Sequence, residues 1–222
     1  RDFTFQLRWM YNAPGTPLVD VPLVERLLAK APDLPLLGER YLRHTRWRAG
    51  DKHFYTDKLP ANFVVAGIIA RALPQARLLH MHRSAPDTCF SNLKELFAHA
   101  YPHSYDQKEM ATHYKHYRQL MAHWHDVFPG RILDVGYEQL ISQPEDTLCQ
   151  VLDFCGIHDQ RAAAQEPEKA RITTASSVQL REPMHSRYVD GWRRYADRLG
   201  PMLDALSDIT QPSPLPPAPI AK

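Results

Sequence analysis

At 222 residues, with 44% hydrophobic and 23% charged side chains, the chain has the composition of one globular domain able to bury a core, which excludes a disordered chain. A net charge of +2, from dispersed basic residues, excludes broad capture of nucleic acid, so any phosphate binding has to be local. Cys89, Cys149 and Cys155 form no CxxC pair and no apolar run reaches the ~20 residues that span a bilayer, so neither a disulfide framework, a zinc site nor a membrane span is expected, and the default location is the cytoplasm.

The start, Arg1-Asp2-Phe3-Thr4, has neither Met nor a signal-peptide pattern and reads as the interior of a longer chain. Phe3-Thr4-Phe5-Gln6-Leu7 alternates as a strand does, and Asn12-Ala13-Pro14-Gly15-Thr16-Pro17 reads as a turn. A helix is expected over about 20–30, where Leu23, Leu27, Leu28 and Ala31 recur at helical spacing behind Asp20 as N-cap, with Pro22 tolerated in the first turn. Strand, turn and helix in that order are phosphate-loop geometry. Residues 32–39 leave the helix, and Glu39 taken alone reads as a solvated loop carboxylate. After the arginines at 40, 43, 46 and 48, residues 53–57 predict a short strand that delivers Lys58 at its end. A helix over 61–73, with Val64, Ile68 and Ala72 on one face, closes at Pro74.

The apolar run Leu78–Met81 predicts a buried parallel strand, reached by a right-handed crossover. Arg83 follows at its end, and Pro86-Asp87 opens a helix over 86–98 that carries Ser91. Free amides at a helix N-terminus, the helix dipole, the planar guanidinium and a hydroxyl together suit an anion; a helix cap beside a surface arginine is the other reading of this stretch. From 107 to 128, Met110, Tyr114, Tyr117, Met121, Trp124 and Phe128 mark an amphipathic helix whose stripe is core. His113, His116, His123 and His125 on it do not share one face, so they read as packed or solvated imidazoles and not as a metal set. A strand over 131–137 leads through Tyr137 to a helix over 144–155 that Gly156 stops. Residues 1–208 are expected to form the domain and the proline-rich 209–222 an extended mobile tail.

Several of these stretches, in order, resemble the motifs of sulfotransferases that use 3′-phosphoadenosine 5′-phosphosulfate (PAPS), over roughly 15–205. Arg83 with Ser91 eight residues later resembles the 3′-phosphate-binding element, although Pro86 stands three residues after the arginine where the family has two. Lys58-Leu59-Pro60-Ala61-Asn62-Phe63 resembles the bacterial Lys-x-Pro-x-Asn-Phe signature, whose lysine stabilises the transferring group. Tyr137-Glu138-Gln139-Leu140, then Pro144, then Leu152-Asp153-Phe154-Cys155-Gly156 resembles a signature whose tyrosine reaches the adenine region. Gly38-Glu39 resembles the Gly-Glu of protein-tyrosine sulfotransferases, where the carboxylate is the general base. Ser176, opening a segment that runs to Pro183, resembles a late-loop serine that helps hold the sulfuryl group. Trp192 matches a common tryptophan, with Gly191 where a basic phosphate contact often precedes it and Arg193 or Arg194 as its replacement.

The 5′-phosphosulfate loop of the family, GxPRSGTT followed by Leu-Val-Glu, aligns with residues 15–25. Gly15, Pro17 and Leu23-Val24-Glu25 match, but Leu18, Val19, Asp20, Val21 and Pro22 replace its Arg, Ser, Gly, Thr and Thr. These replacements remove a cation, hydroxyls and one N–H, and add a carboxylate where phosphate would sit.

The resemblance implies an α/β fold, a parallel sheet flanked by helices of the P-loop nucleoside-triphosphate-hydrolase-like sulfotransferase type. It also implies transfer of a sulfuryl group from PAPS to an acceptor hydroxyl on a peptide, carbohydrate or small molecule, releasing 3′-phosphoadenosine 5′-phosphate without a metal. Relatives of this bacterial type often carry TPR repeats upstream. The altered loop keeps open a non-catalytic nucleotide- or partner-binding module, or an error in the gene model before Leu23. A P-loop kinase is excluded, because no GxxxxGK[ST] occurs.

Overall fold

The structure, a computed structural model, describes residues 2–13, 15, 18–97, 101–157 and 188–209. Pro17, Ser176 and the proline-rich tail beyond Ile209 lie outside the described residues. The chain divides into two units, one of Arg1–Leu78, Ala98–Tyr101 and Lys115–Arg131, the other of Leu79–Phe97, Pro102–Tyr114 and Ile132–Lys222. No described helix is long and apolar enough to cross a membrane.

The first unit is built on helices α1 (Asp2–Met10), α2 (Val21–Ala29), α3 (Leu34–Thr45) and α4 (Ala66–Ala72). The strand expected at Phe3–Leu7 is part of α1. Phe3 and Leu7, four residues apart, both enter the core, while Phe5 is 42% exposed; a strand would have put all three on one face. Asp20 caps α2 as expected, its carboxylate accepting the Leu23 N–H at 3.1 Å. Asp33 does the same for α3, accepting the Leu36 N–H at 3.0 Å, so Pro35 is a first-turn proline and Glu39 lies on a helix, not in a loop.

Gly38 is required for packing. A Cβ there would lie 2.0 Å from the Ala72 carbonyl oxygen at the end of α4, so the two helices meet backbone to backbone. Leu37, Tyr41, Ile69 and Leu73 complete that contact in the core. Residues 53–57 form no strand. Their chain is pinned to α3 by side chains instead, Tyr41 Oη donating to Asp57 at 2.8 Å and Thr45 Oγ1 lying 2.7 Å from Tyr55 Oη. Burial, reinforced by the Asp57 carboxylate, pushes the Tyr41 hydroxyl far above its ordinary pKa, so it stays a donor.

The second unit holds the sheet, two neighbouring parallel strands β1 (Leu78–His82) and β2 (Ile132–Gly136), with helices α5 (Ala85–Lys94), α7 (Tyr137–Ser142), α8 (Pro144–Cys155) and α9 (Gly200–Ala205). Helix α6 (Gln107–Val127) gives its first residues, to Tyr114, to this unit and the rest to the other. The α/β class with a parallel sheet is as expected. β1 is not buried on both faces, however: Leu79 and Met81 are exposed, while His80 faces β2 and its Nδ1 lies 2.7 Å from Asp134 Oδ1. Helix α5 stops at Lys94, four residues short of the expected end. Gly156, left-handed at φ +71°, ends α8 as its sequence implied.

Candidate functional site

Parallel strands that neighbour each other deliver their carboxyl ends to the same edge. Arg83 is the first residue after β1 and Tyr137 the first after β2, so the guanidinium comes to lie 5.2 Å from the centre of the Tyr137 ring. The next residues join as well, the Ser84 N–H donating to Glu138 Oε1 at 2.9 Å. From the far side, Tyr114 on α6 donates its hydroxyl to the Arg83 carbonyl at 3.0 Å. The strand-end backbone is thus fixed from two directions before any ligand is considered.

Ser84 is the N-cap of α5, and its Oγ both accepts from the Asp87 N–H and donates to Asp87 Oδ2 at 3.0 Å. Asp87 is only 1% exposed and its Oδ1 lies 3.2 Å from Arg83 Nη2. The guanidinium is thereby held by one carboxylate while its side chain keeps 20% exposure.

A cavity of about 240 Å³ opens beside it. Three cations, Arg83, Lys94 and Arg194, line it together with the Ser91 hydroxyl. Phe90 and Tyr195, ring centres 5.0 Å apart, give it an aromatic wall; Lys94 Nζ stands 4.6 Å over the Phe90 ring and Tyr188 also lines the cavity. The lining holds one acid, Asp87, and three cations, so the cavity suits an anionic ligand with an apolar portion.

Sequence reasoning expected Arg83, Ser91 and Tyr137 to act together, and they lie at this one edge of the second unit. It left Arg193 and Arg194 as alternatives, and Arg194 is the one that lines the cavity. Arg193 is taken up by Asp190, 3.1 Å away, and stacks 4.9 Å from its neighbour Trp192. Tyr188 and Tyr195 were missed, and no local signal marks them; they reach the cavity from a segment about a hundred residues beyond Phe90. Cys89 on α5 is fully buried, which raises its thiol pKa to about 12, so it offers no nucleophile.

Glu39, Lys58 and Gly15 belong to the first unit. Glu39 is largely exposed on α3, with Arg43 one turn away at 3.9 Å, and Lys58 is exposed just after the pinned Asp57. The loop at Gly15 is not preceded by a strand, which corrects the expected phosphate-loop geometry. It wraps a side chain of its own unit. Arg8, 3% exposed at the end of α1, donates from Nη2 to the Leu18 carbonyl at 2.7 Å and lies 2.7 Å from Asp20 Oδ2. Gly15 has φ +152°, and a Cβ there would stand 2.8 Å from Arg8 Nη1. Carbonyl and carboxylate oxygens therefore face a cation here, the reverse of a phosphate loop, in which amides face an anion.

A family model described as the sulfotransferase family matches residues 35–161, a range that contains Glu39, Lys58, Arg83, Ser91 and Tyr137 and begins after Gly15 and Pro17. An uncharacterized protein of Aquifex aeolicus (strain VF5) is 31% identical over 188 residues, which cover 83% of this chain and 24% of that protein. The chain thus spans about a quarter of the length of that relative. No solved structure matches.

Proposed function

The chain belongs to the sulfotransferase family, and we propose that it transfers a sulfuryl group from PAPS to an acceptor hydroxyl, with the 3′-phosphate held at the Arg83 cavity. The fold is accordingly the P-loop-like α/β fold of that family. The observation that carries the reading is the cavity itself, in which Arg83, Lys94, Arg194 and Ser91 gather donors around a space with an aromatic wall. A phosphate monoester on a nucleoside has that mixed character.

In this reading Glu39 takes the proton from the acceptor oxygen as that oxygen bonds to sulfur. The bond from sulfur to the bridging oxygen of the nucleotide phosphate breaks, the departing nucleotide keeping the electron pair, and Lys58 and Ser176 steady the sulfuryl group in transit. Tyr137 borders the base, while Arg83 and Ser91 fix the other end of the donor. Catalysis is then mostly positioning and electrostatic stabilisation, by analogy with phosphoryl transfer. The acceptor is an alcohol or phenol on a peptide, carbohydrate or small molecule, with a peptide tyrosine the first to try because Gly38-Glu39 resembles the tyrosine-specific enzymes.

A second reading, binding of the nucleotide without transfer, is favoured by one observation. The loop at Gly15 turns the Leu18 carbonyl and the Asp20 carboxylate to Arg8, and those acceptors do not fit a 5′-phosphosulfate. Release of 3′-phosphoadenosine 5′-phosphate from PAPS, followed in the presence of a tyrosine peptide, a phenol or an oligosaccharide, separates the two. Transfer predicts acceptor-dependent release that Lys58→Ala and Glu39→Gln each lower by ~10²–10⁴ while nucleotide affinity holds. Tight nucleotide binding with no release for any acceptor would leave the second reading standing.

A further inference from the structure

The segment that closes the anion cavity, the 3-10 turn Gly191–Arg198, lies far along the chain from the strand end that founds it, and one side chain joins them. Asp87 Oδ2 accepts the backbone N–H of Asp190 at 2.9 Å, while Oδ1 of the same carboxylate stands 3.2 Å from Arg83 Nη2. A capping role at α5 would account for the bonds between Ser84 and Asp87. It does not account for a carboxylate that is 1% exposed and spans 103 residues of sequence to hold an amide.

Asp190 has φ +57°, a left-handed conformation that non-glycine residues seldom adopt. Its own carboxylate holds Arg193 at 3.1 Å. The backbone then runs past Asp87 at ordinary contact distance, with room for a Cβ on Gly191 3.9 Å from Oδ1, and it carries Arg194 and Tyr195 to the cavity wall. Two features of one segment, the left-handed turn and the held amide, meet at a single buried acid.

We propose that Asp87 is the positioning residue of this cavity, a latch whose one carboxylate orients Arg83 from the strand end and docks the 190–195 segment opposite it. The inference rests on the donor reading above, in which the cavity takes the 3′-phosphate. Asp87 touches no ligand in this account. It sets where two of the three ligand-facing cations stand, and so governs preference for a nucleotide with a 3′-phosphate over one without.

The test compares the full 222-residue chain with Asp87→Asn and Asp87→Ala. Calorimetry uses 3′-phosphoadenosine 5′-phosphate and adenosine 5′-phosphate as separate ligands, and amide exchange is read on peptides covering 188–198. Asparagine keeps the size and an oxygen for the Asp190 N–H but loses the charge facing Arg83. The account expects it to weaken the bisphosphate by about tenfold or more, with adenosine 5′-phosphate within about twofold and 188–198 exchanging as before. Alanine also releases the amide, and exchange there rises about tenfold or more over wild type while peptides of α8 hold. An affinity ratio between the two nucleotides unchanged in Asp87→Asn overturns the positioning role, even if the variant melts earlier. Unchanged exchange of 188–198 in Asp87→Ala overturns the latch. If wild type does not distinguish the two nucleotides while alanine still frees the segment, the latch stands and the 3′-phosphate reading falls.

Discussion

Two arginines of this chain are each held by a carboxylate, and they are used in opposite ways. Arg8, 3% exposed, gives its guanidinium to the Leu18 carbonyl and the Asp20 carboxylate of the loop that wraps it. Arg83 is held by Asp87 from behind and keeps 20% of its side chain open at the wall of a cavity that also gathers Lys94 and Arg194. Sealed among acceptors of its own loop, a cation is a structural tie; held from one side with other cations near, it is a donor waiting for an anion. A change at Arg8 should therefore cost stability, and changes around Arg83 should cost ligand.

Breaking the sealed tie is expected to have the largest effect on the fold. Arg8→Ala removes a buried guanidinium, leaves the Leu18 carbonyl without that donor and empties the space against Gly15, a loss of about 2–3 kcal/mol, or ~5–10 °C in Tm. Thermal melting checks it, and nucleotide affinity is expected to stay within about threefold in the folded variant. An Arg8→Ala protein that melts like wild type would mean that the tie is not structural.

In the open pocket the same substitution should do the reverse. Arg194→Ala or Lys94→Ala is expected to weaken 3′-phosphoadenosine 5′-phosphate by about tenfold, roughly 1.4 kcal/mol, with Tm nearly unchanged. Affinity should also fall with added salt, less steeply in each variant than in wild type.

The smallest effect is one of pH. Asp20 has its carboxyl held below the usual range, chiefly by the hydrogen bond from Arg8, which outweighs its desolvation. A carboxyl lowered in the folded state adds stability that is present above the unfolded value of ~4 and lost as pH falls through the lowered one. The Tm of wild type should therefore drop more steeply below pH ~4 than that of Asp20→Asn, and parallel curves would remove the coupling.

Much of the second unit was legible because its signals are local. β1 and β2 follow from short apolar runs, Gly156 ends its helix with a left-handed cap, and Arg83, Ser91 and Tyr137 sit where strand ends and helix starts place them. The first unit misled where two periods overlapped. Phe3, Phe5 and Leu7 satisfy strand alternation, but Phe3 and Leu7 alone also satisfy a helical step, and burial chose the helix. Glu39 was misread as a loop residue because Pro32 and Pro35 look like breakers, whereas Asp33 capping α3 turns Pro35 into a helix starter. Tyr188 and Tyr195 could not be assigned, nor Arg194 chosen over Arg193, since the tie that brings them to the cavity, a backbone amide on a buried carboxylate, is long-range and leaves no mark in local spacing.

The measurement that bears most directly on the cavity at Arg83 is calorimetric titration of the purified chain with 3′-phosphoadenosine 5′-phosphate, repeated with Arg83→Ala after circular dichroism has shown that variant folded. The account predicts micromolar binding by wild type and a loss of about a hundredfold or more in the variant, the cost of removing a charge-assisted donor pair. Equal affinity in the two proteins, or no binding by a folded wild type, would contradict it.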